Sequence, residues 1–476
     1  MSDFEANDRP LWQWSACDIA QAVNRGAVSC EDVTGAAVER MRATNGKINA
    51  VVEDLGDGAL ETARAQDKAG AGAAQAMFGV PVTIKENIDQ KGHTTPNGVT
   101  ALAKALAPGD APVVSNFKKA GAIPIGRTNT PEFSFRATTV NELHGRTFSP
   151  WNDWASAGGS SGGASAGVMM GYGAVAHGND IGGSLRFPAY ACGAATVKPG
   201  LGRVPAYNPS AAEERGPLAQ IMSVQGAIAR EVRDVRLAME TLVTYDPHDP
   251  WMVPAPFNGP DLGGLPKIGF SRETYGEEIH PAVSKALDAA KDCLVEAGYE
   301  VEEIETPDVK ACGDTGFRAL MGEVKVFFEA DIRKHGSADI NSIFDDYFQM
   351  FPPFQGDDQF KAMAERARFV REWTVLLNRY PLVLTPFMLT PTFKWDRDTE
   401  GQDGVREVLG AAFYSYSMNF MGLPAGNVPA NYNDGLPVGV QIVGQRFRED
   451  LILDACEAIE QRVGVMAHKL WEREAG

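Results

Sequence analysis

Residues 79–84 (GVPVTI) are apolar and β-branched and stop abruptly at Lys85-Glu86-Asn87, as a buried strand with a polar end should. Short apolar runs at 121–126 (GAIPIG), 266–270 (PKIGF), 299–304 (YEVEEI), 381–387 (PLVLTPF) and 437–443 (PVGVQIV) predict further strands. Helical patterns fall between them, at 112–120, 281–297 and 449–463. The last of these sets Ile452, Cys456, Ile459 and Val463 on one face. Residues 11–65 read as helical, with Ser29-Cys30-Glu31-Asp32 as a capping box that opens an amphipathic stretch to about Arg42. Residues 164–177 predict a helix of small residues, and 315–380 a largely helical, aromatic-rich region. Residues 127–165 form a long polar, glycine-rich passage, and 203–265 read as prolines and turns. Alternating strands and helices predict an α/β fold. With no internal repeat and no linker, 1–476 is expected to be one domain.

Composition narrows the function. The 476 residues carry a formal charge of −18, which argues against a stand-alone nucleic-acid binder or a binder of anionic membranes. No apolar run reaches the ~18 residues of a spanning helix. The polar N-terminus MSDFEANDRP lacks the basic and apolar regions of a signal peptide, so a cytoplasmic protein is expected. Six scattered cysteines without a CxxC pair, and seven scattered histidines without HExxH, predict free thiols and neither a metal site nor a cofactor.

The 50 glycines are in excess for this length, and they concentrate between Gly158 and Gly202. Two glycine–serine clusters lie there, Gly158-Gly159-Ser160-Ser161-Gly162-Gly163 and Gly182-Gly183-Ser184. A phosphate cradle lacks its GxxxxGK[ST]. A nucleophile elbow matches as Gly158-x-Ser160-x-Gly162, but Ser149–Trp154 ahead of it is no buried strand. A serine amidase with a base other than histidine fits better. It needs a hydroxyl nucleophile, backbone N–H groups for an oxyanion and a base of tuned pKa. Asp180-Ile181-Gly182-Gly183-Ser184 offers the first two. Lys85, at the end of an apolar strand, is the candidate base, because desolvation lowers a lysine pKa. Taken alone, Lys85 reads better as a strand-end lysine reaching solvent.

These residues resemble the amidase-signature hydrolases, over nearly the whole chain: GVPVTIKENID (79–89), GRTNTPEF (126–133), Asn141–Trp151, GGSSGG (158–163), NDIGGSLRFPAYACG (179–193), VKPGLGRV (197–204) and GLPAGNVP…GLPVGVQIVG (422–444). The resemblance implies a central twisted mixed β-sheet covered by helices on both faces. It also implies a Ser–cis-Ser–Lys triad of Ser184, Ser160 and Lys85. The 24-residue spacing to Ser184 is the family's, and it selects Ser160 over Ser161. The amide carbonyl would be attacked by Ser184, with its oxyanion held at Ile181, Gly182 and Gly183. Ser134 and Gly159 would lie against the substrate. On this reading 1–65 is an N-terminal helical segment, 79–205 the catalytic core and 310–380 a variable helical region that shapes the pocket.

Several positions depart from the family. Asn179-Asp180 replaces the usual Thr-Asp. Phe187 stands where the A-type chain of glutamyl-tRNA amidotransferases usually has glutamine, and GGASAG (162–167) where that chain has alanines. Cys192, in an apolar context, reads as a buried inert thiol. The expected activity is hydrolysis of a linear small-molecule carboxamide to acid plus ammonia or amine. Phe317, Phe327, Phe328, Phe344, Tyr347, Phe348, Phe351 and Phe354 are candidates for core faces, with a few lining an acyl or aryl pocket. The alternatives are a non-catalytic binding protein on the same scaffold and a glutamyl-tRNA amidotransferase A-type subunit. A homodimer is possible.

Overall fold

The computed structural model of the protein describes residues 8–70 and 75–475. The first seven residues, part of the segment read as lacking a signal peptide, lie outside this range. Eleven strands among the described residues form one sheet. They are β1 (Val51–Asp54), β2 (Pro81–Lys85), β3 (Ile123–Thr128), β4 (Val175–Asp180), β5 (Ala195–Lys198), β6 (Val224–Ala229), β7 (Ile268–Phe270), β8 (Val301–Glu303), β9 (Leu382–Thr385), β10 (Ala425–Asn433) and β11 (Leu436–Gly444). Their order is β1-β3-β2-β4-β6-β5-β10-β11-β9-β7-β8. The sheet is mixed: β2 runs parallel to β3 and β4, β4 antiparallel to β6, and β9-β7-β8 parallel again.

Neighbouring residues of one strand feed two different cores, as period-two geometry requires of a sheet buried on both sides. In β4, Val175 joins one hydrophobic cluster and Ala176 the other; in β6, Ala227 and Ala229 join the first and Ile228 the second. Helices therefore cover both faces. One is the small-residue helix Gly162–Met169, buried throughout and packed on β4 and β6. No helix among the described residues is long and apolar enough to cross a membrane.

Several predicted elements appear where expected, including helices Pro112–Lys119, Pro281–Glu296 and Glu449–Val463. Ser29 Oγ accepts from Asp32 N–H at 2.9 Å, and the helix it caps runs to Ile48. Three expectations are corrected. The stretch 11–65 is interrupted by β1, which closes the sheet edge on β3. The predicted helix 164–177 ends at Met169, and its last residues enter β4. The region read as turns over 203–265 contains β6, at the centre of the sheet, and helix Val232–Leu242. All six positions of β6 are buried, so no alternation marked it.

Candidate active site

Because β2 and β4 are parallel neighbours, their C-terminal ends open on the same side of the sheet. Lys85 ends β2; Asn179 and Asp180 end β4. Lys85 is fully buried, and its Nζ lies 2.6 Å from Ser160 Oγ, 2.8 Å from Asn179 Oδ1 and 3.1 Å from Ser161 Oγ. Burial pushes its pKa well below 10.5, against the opposing charges of Asp180 and Glu86. A neutral amine has two N–H donors and one lone pair. Asn179 Oδ1 can only accept and takes one N–H. With Ser161 Oγ taking the other, the lone pair is left for the hydroxyl of Ser160.

Ser160 is buried in the glycine loop just ahead of helix Gly162–Met169, and the Gly159–Ser160 peptide bond is cis. The loop packs tightly: a Cβ at Gly159 would run into the backbone of Arg136, Ala137 and Thr138. Asn179 and Asn87 exchange side-chain amide hydrogen bonds (3.1 and 3.3 Å). Asn87 Nδ2 also donates to Ser134 Oγ at 2.9 Å, and Ser134 Oγ donates to Asn97 Oδ1 at 2.6 Å.

Asp180 organises the loop that carries Ser184. Its carboxylate accepts from Gly183 N–H (2.8 Å), Leu185 N–H (3.1 Å), Arg186 (3.1 Å) and Asn419 Nδ2 (2.8 Å), all in the interior. Burial alone would raise its pKa, but Arg186 prevails and holds it at about 2. The expected oxyanion donors thus divide. Gly183, with φ +132°, turns its N–H inward to Asp180. Among the described residues, the N–H groups of Ile181, Gly182 and Ser184 have no acceptor.

Ser184 lies on the wall of a cavity of about 390 Å³ that also exposes Ser160, Asn179, Ile181 and Ser134. A second cavity of about 50 Å³ adjoins it at Ser134, Ile181 and Ser184, with Gly159, Gly182 and Phe187 on its wall. Of the eight residues expected at the site, Ser134, Gly159, Ser160, Ile181, Gly182 and Ser184 line the two cavities, Lys85 is buried against Ser160, and the Gly183 amide turns inward to Asp180. No hydrogen bond joins Ser160 to Ser184 among the described residues; the two share the cavity wall. Of the aromatic candidates, Phe317 and Tyr347 line the smaller cavity and Phe328 the larger. Phe344 and Phe351 are core, Phe348 and Phe354 pack beside it, and Phe327 is exposed. Cys192 is buried, donates to Ala157 O at 3.4 Å, and is pushed up by burial to about 12.

Sequence reasoning missed Asn87 and Asn97, whose side chains reach the site from loops that follow β2. It also missed the part played by residues 201–225 in walling the larger cavity. The KENID motif contained Asn87, and that position was the available signal.

A buried lysine against a serine, with a second serine and free backbone N–H groups on one cavity, is the equipment of amide hydrolysis. The chain belongs to the amidase family, whose model matches residues 32–453, and it is an amide hydrolase. It is similar to an indoleacetamide hydrolase of Bradyrhizobium diazoefficiens, 46% identical over 466 residues, covering 97% of this chain and 89% of that one. The A-type chain of the glutamyl-tRNA(Gln) amidotransferase of Moorella thermoacetica is 30% identical over 95% of this chain and 97% of its own. Among solved structures, a bacterial aryl acylamidase of the amidase signature family superposes with a TM-score of 0.84, at 25% identity, over 97% of this chain and 99% of that one.

Proposed function

We propose that this chain hydrolyses primary arylacetamides of the indoleacetamide type to the acid and ammonia, through an acyl-enzyme on Ser184. The observation that carries the mechanism is the 2.6 Å approach of a buried, pKa-depressed Lys85 to Ser160. Neutral Lys85 takes the proton of Ser160, and Ser160 takes that of Ser184 as its Oγ attacks the amide carbon. Catalytic hydrogen bonds are often long before substrate binds, so the Ser160–Ser184 contact is expected to tighten in the complex. The oxyanion is held by the N–H groups of Ile181, Gly182 and Ser184, donors that need no reorganisation during the reaction. The tetrahedral intermediate collapses as Ser160 returns a proton to nitrogen, and ammonia leaves. Water, deprotonated through the same Lys85–Ser160 pair, then cleaves the ester.

The arylacetamide assignment is supported by the 46% identity to an indoleacetamide hydrolase and by the cavity of about 390 Å³ beside Ser184. Phe187, edge-on to Phe387 at 4.9 Å, is apolar where the amidotransferase chain usually has glutamine, which weighs against the tRNA-linked reading. Ammonia release from indoleacetamide by the purified chain alone tests the reading. Activity that appears only with a tRNA-linked substrate and a partner protein would contradict it. A fluorophosphonate probe that fails to label Ser184 would point to a non-catalytic binder.

A further inference from the structure

The two cavities that meet at Ser184 differ in what they can hold. The smaller, at about 50 Å³, falls below the roughly 150 Å³ that accommodates a benzene ring. The larger, at about 390 Å³, has room for a bicyclic ring. Its buried floor carries Ser160, and its open end carries three aromatic side chains on two loops: Tyr207, His248 and Trp251. Tyr207 stacks on the imidazole of His248, with centroids 5.1 Å apart and planes 16° from parallel. Trp251 Nε1 donates to Gln220 Oε1 at 3.0 Å. Tyr207 and Trp251 remain 38% and 44% exposed at the rim.

The loops that carry them are strapped together. The Asp249 carboxylate accepts from Ala206 N–H and from Trp251 N–H, each at 2.8 Å. Val253 N–H donates to Gly202 O at 2.8 Å, and buried Arg203 donates to Ala255 O and Pro256 O, at 3.3 and 2.9 Å. Rings held this way lose little freedom on binding a ligand.

We propose that Tyr207, His248 and Trp251 form an aryl-binding subsite at the mouth of the larger cavity. It takes the flat ring of the acyl group and selects aromatic acetamides over aliphatic amides. The proposal rests on the arylacetamide reading above. Aromatic rings gain from offset or edge-on contact beyond the area they bury.

The test compares kcat/KM for phenylacetamide and propionamide in the wild type, Tyr207→Ala, Trp251→Ala and Trp251→Phe. The ratio of aryl to aliphatic kcat/KM is expected to fall about five- to tenfold in each alanine variant, through KM of the aryl amide. Trp251→Phe should recover most of it. An unchanged ratio in Tyr207→Ala and Trp251→Ala would overturn the proposal. A second measurement separates this proposal from the functional reading: calorimetric binding of indoleacetamide to Ser184→Ala with and without Trp251→Ala. If aryl amides are not hydrolysed but binding weakens about five- to tenfold in the double variant, the subsite stands and the functional reading fails. If aryl amides are hydrolysed and the double variant binds as tightly as Ser184→Ala, the reading stands and the subsite fails. No binding of indoleacetamide to Ser184→Ala overturns the subsite.

Discussion

Lys85 Nζ and Asn179 Oδ1 lie 2.8 Å apart, at the ends of two parallel strands that neighbour each other in the sheet. An acceptor that cannot donate occupies one N–H of the amine. In the proposed mechanism, where the amine is neutral, a side chain 94 residues away would help to aim its lone pair at Ser160.

Replacing that neutral acceptor by a carboxylate is expected to stabilise the ammonium form. Asn179→Asp should move the acid limb of kcat/KM to higher pH, by about 1–3 pH units for an opposite charge at this range. Asn179→Thr, the residue the family usually has here, should leave the limb near its wild-type position. A pH–rate profile for each variant checks this. An unmoved limb in Asn179→Asp would show that Lys85 is not the titrating base.

Burial holds Lys85 well below 10.5, so between that depressed value and 10.5 the folded chain carries an amine where the unfolded chain carries an ammonium. kcat/KM should therefore fall as pH drops through the depressed value. Stability at this site should rise with pH from that value up to 10.5, because unfolding in that window takes up a proton. Lys85→Met is expected to abolish turnover. Its urea midpoint should rise less with pH than the wild type's within that window, and parallel curves would contradict the neutral-amine assignment.

The strand that delivers Lys85 was legible because GVPVTI is apolar, β-branched and cut off by polar residues. The two glycine–serine clusters were legible as chemistry because consecutive small residues free a backbone to offer its N–H groups. β4 and β6 were not legible. Both are buried on both faces, and β4 follows a run of Gly and Ala that reads as helix. The amide pair of Asn87 and Asn179 was also hidden, since it is made by strand adjacency. The inward turn of the Gly183 N–H depends on Asp180, whose place in the interior is set by Arg186, Asn419 and the sheet together.

Asp180 is ionised in the interior, and its stabilising effect is present above 3.8 and lost as pH falls toward about 2. Asp180→Asn leaves Arg186 buried without its carboxylate and loosens the loop before Ser184. A loss of about 3–5 kcal/mol is expected, measured as a lower urea midpoint at neutral pH. A midpoint within error of the wild type would contradict the anchoring role.

Cys192 is eight residues past Ser184, yet its thiol is buried and raised to about 12 by desolvation. Cys192→Ala should keep kcat/KM within about twofold of the wild type, since the thiolate that would react is absent at neutral pH. Loss of turnover in a folded Cys192→Ala protein would reopen the question of the nucleophile.

In the proposed mechanism the acyl group passes through Ser184 under the control of Lys85 and Ser160. Acid quenching during indoleacetamide turnover, followed by peptide mass spectrometry, tests it most directly. An indoleacetyl mass is expected on the peptide bearing Ser184, absent in Ser184→Ala and strongly diminished in Lys85→Ala. The same mass on Ser160, Ser161 or Cys192, or turnover by a folded Ser184→Ala protein, would contradict it.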